Sequence, residues 1–194
     1  MFAEWNGTMA RGKPLVTTTQ RLFLALWPDE GVQGQLVAHA SQWTWPAGCV
    51  QSAPADWHVT LHFIGNVDAA RVAAIMASAD VPFQPFELVL DQPRLWPHGL
   101  AVLCATEVPM PLRALYERLG CVLRGLGLAV ETRPYLPHIT FARRADAAIP
   151  PTAAAPVVWW VQSFVLVVST GDRAQPYRVL RQYADGTASL LYCQ

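Results

Sequence analysis

Charge is scarce in this chain of 194 residues: only 14% are Asp, Glu, Lys or Arg, against about 25% in an ordinary soluble domain. Disorder driven by charge repulsion is thereby excluded for most of the chain, and a hydrophobic content of 53% supplies a large core. Neither sign dominates. Fourteen basic residues balance fourteen acidic ones, so no global field draws the protein toward nucleic acid or an anionic membrane, and any preference for phosphate must be local. Cysteine is sparse too. Cys49, Cys104, Cys121 and Cys193 are scattered, with no CxxC pair and no histidine at zinc-finger spacing, which reads as free buried thiols. An unbroken membrane span is also missing. The uncharged stretch 147–171 is interrupted by Pro150, Pro151 and Pro156, and the remaining VVWWVQSFVLVV of 157–168 is too short to cross as a helix. Its β-branched and aromatic residues predict one buried strand. The opening MFAEWNGTMARGKPLVTTTQ has no apolar segment of signal-peptide length, so the expected compartment is the cytoplasm.

The length is that of one domain or two small lobes sharing a core. Residues 1–20 show little hydrophobic period and read as a mobile N-terminal extension, with a single domain over 21–194. RLFLALW from Arg21 predicts a core strand leading into a helix from about Asp29 to Gln42. A Pro-, Gly- and Ser-rich loop then delivers the chain to WHVTLHFIG, which reads as strand. Asp68 is placed to cap a helix reaching about Ala79, with Val72, Ile75 and Met76 on one side. FELVLDQPRLW and LAVLCATE, separated by Pro97, His98 and Gly99, read as a hairpin. Leu112, Leu115, Leu119, Val122, Leu123 and Leu126 recur at three- and four-residue steps and make the clearest amphipathic helix, ended by Gly125 and Gly127. PHITFARR, the apolar strand, PYRVLRQY and SLLYC complete the chain. Helices interleaved with hairpins predict an α+β class.

The informative feature is an internal echo: His58-Val-Thr60-Leu in the first half and His138-Ile-Thr140-Phe in the second, 80 residues apart. On a strand, side chains alternate faces, so His58 and Thr60 share one face while Val59, Leu61 and Phe63 point to the other. His138 and Thr140 are arranged alike. Each half thus offers one imidazole beside one hydroxyl on a polar face, backed by an apolar face that anchors it. Two such strands facing across a cleft make a site.

With these motifs the chain resembles the two-histidine phosphoesterases, and within them the LigT-like RNA 2',3'-cyclic phosphodiesterases of the 2'-5' RNA ligase family. HVTLHFIG is similar to the first motif of that family with its customary Phe and Gly, and PHITFAR to the second with its preceding Pro and following Arg. RLFLALWPDE resembles the opening strand, and SFVLVVST with PYRVL the closing ones, over about residues 21–183. The resemblance implies a bilobal, duplicated α+β fold: two antiparallel-rich sheets facing across a central cleft, helices outside. It implies metal-free, cofactor-free hydrolysis of 2',3'-cyclic phosphates to 2'-phosphomonoesters, on RNA or oligonucleotide ends or on cyclic nucleotides, by a monomer without membrane attachment. A reversible 2'-5' ligase, or a binding module that keeps the cleft without turnover, are the alternatives.

Opening a cyclic phosphodiester needs one group to deprotonate water and another to protonate the leaving ribose oxygen from the opposite side. Two imidazoles with unperturbed pKa values near ~6.5 can divide that work at neutral pH. By analogy with the family, His58 is the acid and His138 the base. Thr60 and Thr140 are placed to donate to the nonbridging oxygens, and Arg143, matching the motif arginine, adds a charge-assisted contact. Arg143 is odd relative to His138, so regular pleating turns it away from phosphate, and a bulge or strand end must intervene.

The other candidates carry blander expectations. His62 shares the strand face of His58 by parity and is given a polar rim role. A His58–His62 metal pair is disfavoured because the intervening residues lack the glutamate of HExxH and favour strand, where four residues span about 13 Å. His39 is expected on a helix surface and His98 in a solvated turn. Parity buries Phe63. Most of the eight tryptophans are expected in the core, with Trp43, Trp45 and Trp96 the better candidates for stacking a base; one of the adjacent Trp159 and Trp160 faces inward. Arg133 and Arg144 either widen the positive patch or are solvated surface charges.

Overall fold

A computed structural model describes residues 18–184, in which the chain runs β1 (Thr19–Leu26), α1 (Glu30–Ala40), β2 (Val50–Gln51), β3 (Val59–Asp68), α2 (Val72–Ser78), β4 (Phe86–Leu90), β5 (Gln92–Trp96), β6 (Leu100–Cys104), α3 (Met110–Gly125), β7 (His138–Arg143), β8 (Val157–Val161), β9 (Ser163–Ser169) and β10 (Tyr177–Ala184). Residues 1–17 of the expected extension and the SLLYC strand lie outside the described residues. Thr19 and Gln20, assigned to that extension, instead pair with Asp68 and Val67 in the sheet.

Duplication is visible in the pairing. In the first half β1 and β3 are antiparallel partners with α1 between them in sequence; in the second, β6 and β7 are antiparallel partners with α3 between them. The main sheet follows the order β10-β9-β1-β3-β7-β6-β5, with β2 on β7, so the two halves meet where β3 touches β7. That seam has one register pair, Val59↔Ile139. A single pair leaves the strands free to diverge to either side as each half twists, and a cleft opens along it. The helices exchange partners across the seam. α3 of the second half packs on β3, where Gly120 of α3 lies against His62, while α1 of the first half packs on β8, with the Gln35 amide donating to the Val158 carbonyl and accepting from its N–H.

Local chemistry sets the ends of these elements. Asp29 caps α1 by accepting from the Val32 N–H at 2.9 Å. α3 buries Leu112, Leu115, Leu119 and Leu123, as its spacing predicts. It ends in a Schellman turn, in which Leu128 N–H reaches the Leu123 carbonyl and Gly127, at φ 70°, reaches that of Arg124.

Two runs expected to be single strands are broken. The 157–168 run divides at Gln162 into β8, which pairs with β4, and β9, which pairs with β1 and β10. β8 alternates buried and exposed residues, whereas the interior of β9 is buried on both faces; one straight strand cannot serve both environments. FELVLDQPRLW divides at Asp91, whose Oδ1 accepts from the Thr106 N–H and hydroxyl, so only β5 forms the hairpin with β6.

His39 is not on a helix surface. It is buried with its ring 5.8 Å from that of Phe141, because the α1 face that carries it is the one laid over β7. Trp43 is buried, stacks on Trp45 and meets Phe141 edge-on, which removes this pair from the groove. Trp159 is buried and Trp160 exposed, as strand alternation requires. No helix among the described residues is long and apolar enough to cross a membrane.

Candidate active site

The seam brings the two motifs together. Extending the Val59↔Ile139 register by one step each way sets His58 opposite Thr140 and Thr60 opposite His138. Val59 and Ile139 are fully buried, whereas Thr60, His138 and Thr140 on the opposite parity are half-buried. The four polar side chains therefore share one face, with the two histidines on a diagonal. Diagonal neighbours in a regular antiparallel pair are about 7–8 Å apart, a separation that accommodates a phosphorus and its oxygens.

A β-bulge just after the motif threonine of each strand completes this face, and a second bulge in β3, at Ile64, lies beyond it. Ala25 pairs with Thr60 but Leu24 with His62, so Leu61 is an extra residue in β3. Val102 pairs with Thr140 but Ala101 with Ala142, so Phe141 is an extra residue in β7. Each bulge reverses the parity of the residues beyond it. Arg143 thereby returns to the face of His138 and Thr140 and lines the same cavity as His58 and Thr60. Phe63, its counterpart in β3, is 52% exposed and lines the cleft rather than the core. His62 is turned to the opposite side. It is buried beneath α3, its Nε2–H donating to the Tyr116 carbonyl at 2.7 Å and its ring stacked on Tyr116. The expectations for His62 and Phe63 fail together, since both assumed unbroken alternation. With His62 directed away from His58, the two do not form a ligand pair.

The imidazoles are held alike. Nδ1–H of His58 donates to the Asp56 carbonyl at 2.7 Å, and Nδ1–H of His138 to the Leu136 carbonyl at 2.8 Å, each two residues back. A carbonyl only accepts, so both neutral rings are Nδ1-protonated tautomers with the Nε2 lone pair available for proton transfer. His58 lies in an aromatic box: Trp27 is stacked parallel at 5.2 Å, Phe23 is at 4.9 Å, and Tyr177 is edge-on at 5.2 Å. A small apolar cluster including Phe23, Ala25, Val165 and Val167 supports that box on the cleft face of the sheet. His138 packs against Trp96 at 4.5 Å.

Desolvation by burial lowers the pKa of both histidines. The carbonyl bonds oppose this in each case, and for His58 the nearby positive charges of His138 and Arg143 lower it further. A proton on His138 thus disfavours one on His58.

The cleft has two chambers. A cavity of ≈ 480 Å³ contains His58, Arg143, Arg21, Arg173 and Tyr177, and one of ≈ 380 Å³ contains His138, Trp96, Tyr135 and Arg133; both are lined by Thr60 and Phe63. Thr140 lines neither, though its register puts it beside His58. Of the tryptophans expected to offer a stacking face, only Trp96 lies in the cleft. His98 is exposed in its turn. Arg133 is paired with Glu131 at 2.5 Å at the mouth, and Arg144 is exposed at φ 53° just beyond β7. Arg21, Arg173, Trp27 and Tyr177 belong to the site although no motif marks them. Their only signal was membership in flanking strands and loops that pairing brings beside β3. Among the described residues no group of three or more His, Cys, Asp or Glu is arranged to hold a metal ion. A hollow of ≈ 420 Å³ between α3 and Pro82–Gln84 is lined by Phe83, Pro111 and Arg118, without acid–base pairs.

The arrangement is paralleled in known proteins. The profile of the 2'-5' RNA ligase superfamily matches residues 35–173, which contain both histidine strands. The chain belongs to this superfamily. It is 31% identical to the RNA 2',3'-cyclic phosphodiesterase of Escherichia coli strain K12 over 172 residues, covering 85% of this chain and 96% of that one. A second relative, the RNA 2',3'-cyclic phosphodiesterase of Geobacillus stearothermophilus, is 29% identical over 147 residues, or 66% of this chain; the match spans less than half, 45%, of that relative's length. The crystal structure of E. coli LigT in its apo form superposes with a TM-score of 0.74 at 26% identity, covering 86% of this chain and 97% of that one. The crystal structure of TT0787 of Thermus thermophilus gives 0.67 at 27% identity, covering 84% and 97%. As a LigT-like two-histidine phosphoesterase, the superfamily member has the mixed, mainly antiparallel fold that its motifs imply.

Proposed function

We propose that this protein hydrolyses 2',3'-cyclic phosphate ends of RNA or oligonucleotides to 2'-phosphomonoesters by metal-free acid–base catalysis. The observation that carries the reading is the Val59↔Ile139 seam, with an Nδ1-anchored histidine next to the paired residue on each side. The names of the E. coli and Geobacillus relatives support the 2',3'-cyclic phosphate substrate, and crystal structures of E. coli LigT complexed with 3'-AMP and with NADP+ support a nucleotide in the cleft.

In the proposed reaction a water oxygen attacks phosphorus while its proton passes to Nε2 of His138. The bond from phosphorus to O3' breaks, and O3' takes the proton of Nε2 from His58. Thr60 and Thr140 hydroxyls and the Arg143 guanidinium bind the nonbridging oxygens, on which charge concentrates. In the free protein burial first, and then the charges of His138 and Arg143, lower the pKa of His58; the negative charge of a bound cyclic phosphate acts in the opposite sense, so substrate binding favours the protonated acid. One chain supplies every group, so a monomer suffices. Among the described residues the thiols of Cys49, Cys104 and Cys121 form no disulfide, which fits a cytoplasmic setting.

The test is incubation with a 2',3'-cyclic phosphate oligonucleotide and, separately, a 3',5'-cyclic nucleotide, both with chelator, followed by product identification. The expected product is a 2'-phosphate from the first substrate only. His58→Ala and His138→Ala should each lower kcat/KM by ~10²–10⁴-fold with an unchanged circular dichroism spectrum. Full turnover by the double variant would contradict the assignment.

A further inference from the structure

The chamber beside His58 holds more positive charge than one reacting phosphate accounts for. Arg21, Arg143 and Arg173 all line it, against the single carboxylate of Asp172. The ion pairs among the described residues, Arg133–Glu131 and Arg181–Asp80, involve none of these three arginines. Asp172 is committed to its own loop, where its carboxylate accepts from the Ala174 N–H at 2.9 Å.

One of the arginines is held in place without being neutralised, and another rides on a closed loop. Arg21 sits in the middle of the β9-β1-β3 sheet, paired with Ser169 and Asn66. Its guanidinium lies over the Phe63 ring at 4.9 Å, a contact that fixes the group while leaving its N–H edge free. Arg173 is carried by the loop between β9 and β10. Thr170 closes that loop, its N–H donating to the Pro176 carbonyl and its hydroxyl to the Gln175 carbonyl at 2.6 Å.

A 2',3'-cyclic phosphate bears one negative charge, which the two threonines and Arg143 already meet. A strand that ends in such a phosphate has further phosphates only on its 5' side. We propose that Arg21 and Arg173 form a subsite for a second phosphate, the 5'-phosphate of the nucleotide carrying the reacting ring, so that the preferred substrate is an oligonucleotide end rather than a free cyclic nucleoside phosphate. This rests on the reaction proposed above and adds to it where the rest of the strand lies.

The experiment compares three substrates with one terminal base: the nucleoside 2',3'-cyclic phosphate, the same compound with a 5'-phosphate, and the dinucleotide ending in the same cyclic phosphate. A charge-assisted contact to phosphate is expected to raise kcat/KM of the two phosphate-bearing substrates ~10-fold or more over the first. That advantage should shrink as salt is raised. In Arg173→Ala and Arg21→Ala the ratio should collapse toward unity, with Arg21→Lys retaining part of it. Three results overturn the subsite: no advantage in the wild type, an advantage confined to the dinucleotide, which would point to its second nucleoside, or ratios unchanged in both alanine variants. If the wild type turns over none of the three, the reaction reading falls by itself. Binding of a nucleoside 5'-phosphate against the nucleoside then decides the subsite, and equal affinities in wild type and Arg173→Ala overturn it.

Discussion

At the scale of single residues, two imidazoles of the same chemistry are set by burial to the same side of their ordinary titration. Desolvation lowers both pKa values from 6.5. The base works neutral and the acid protonated, so kcat/KM falls below the lower of the two values, where the base gains a proton, and above the higher, where the acid loses one. With both values depressed, the optimum for kcat/KM lies on the acid side of ~6.5, and the rate declines through neutrality into alkaline solution. A pH profile of kcat/KM for a cyclic phosphate substrate checks this; a plateau from pH 7 to 9 would refute the shared depression. His39 and His62 are also depressed by burial, but neither opens on the cleft, so their titration bears on stability rather than rate.

Elements place these residues through their irregularities more than through their regular parts. The bulges at Leu61 and Phe141 bring Phe63 and Arg143 onto the face of the histidines. The hairpin between β5 and β6 does similar work for Trp96, which packs on His138. Its turn has His98 at φ 65° and Gly99 at φ 66°. A Cβ at Gly99 would stand 2.6 Å from Asp146 Oδ2 and 2.8 Å from the backbone N of Ala145. Strain and collision act together there, so Gly99→Ala is expected to cost on the order of 1–3 kcal/mol. It should lower the urea midpoint and, by shifting Trp96, reduce kcat/KM as well. Gly34→Ala is the contrast, since a Cβ there meets nothing within 4 Å, and a helical alanine should be neutral or stabilising. An unchanged midpoint in Gly99→Ala would show that the turn relaxes without cost.

On the scale of the whole molecule, the two halves share a core although their sheets meet at one register pair. Leu24 and Leu61 of the first half, Leu103 and Ile139 of the second, and Leu36 and Leu115 of the exchanged helices belong to one buried cluster. Neither half can shed its partner without exposing that cluster, so unfolding in urea should be a single transition. Far-UV circular dichroism and tryptophan fluorescence should report the same midpoint. Two separated midpoints would mean that the lobes are independently stable and that the seam is a hinge.

The duplication, the histidine and threonine of each motif, the α+β class and the long helix α3 were legible in the order of residues, because period and motif are properties of neighbours along the chain. Tertiary structure alone decided which way the chain faces after each threonine. A bulge exists only relative to the strand it pairs with, so nothing in HVTLHF marks Leu61 as the extra residue, although the awkward parity of Arg143 did require a break in pleating. Burial of His39 and Trp43 likewise depended on a helix crossing to the other half, and the aromatic box and the arginines beside His58 on strands and loops distant in sequence. Local order specifies the groups that can react; the partner strand specifies the space they share.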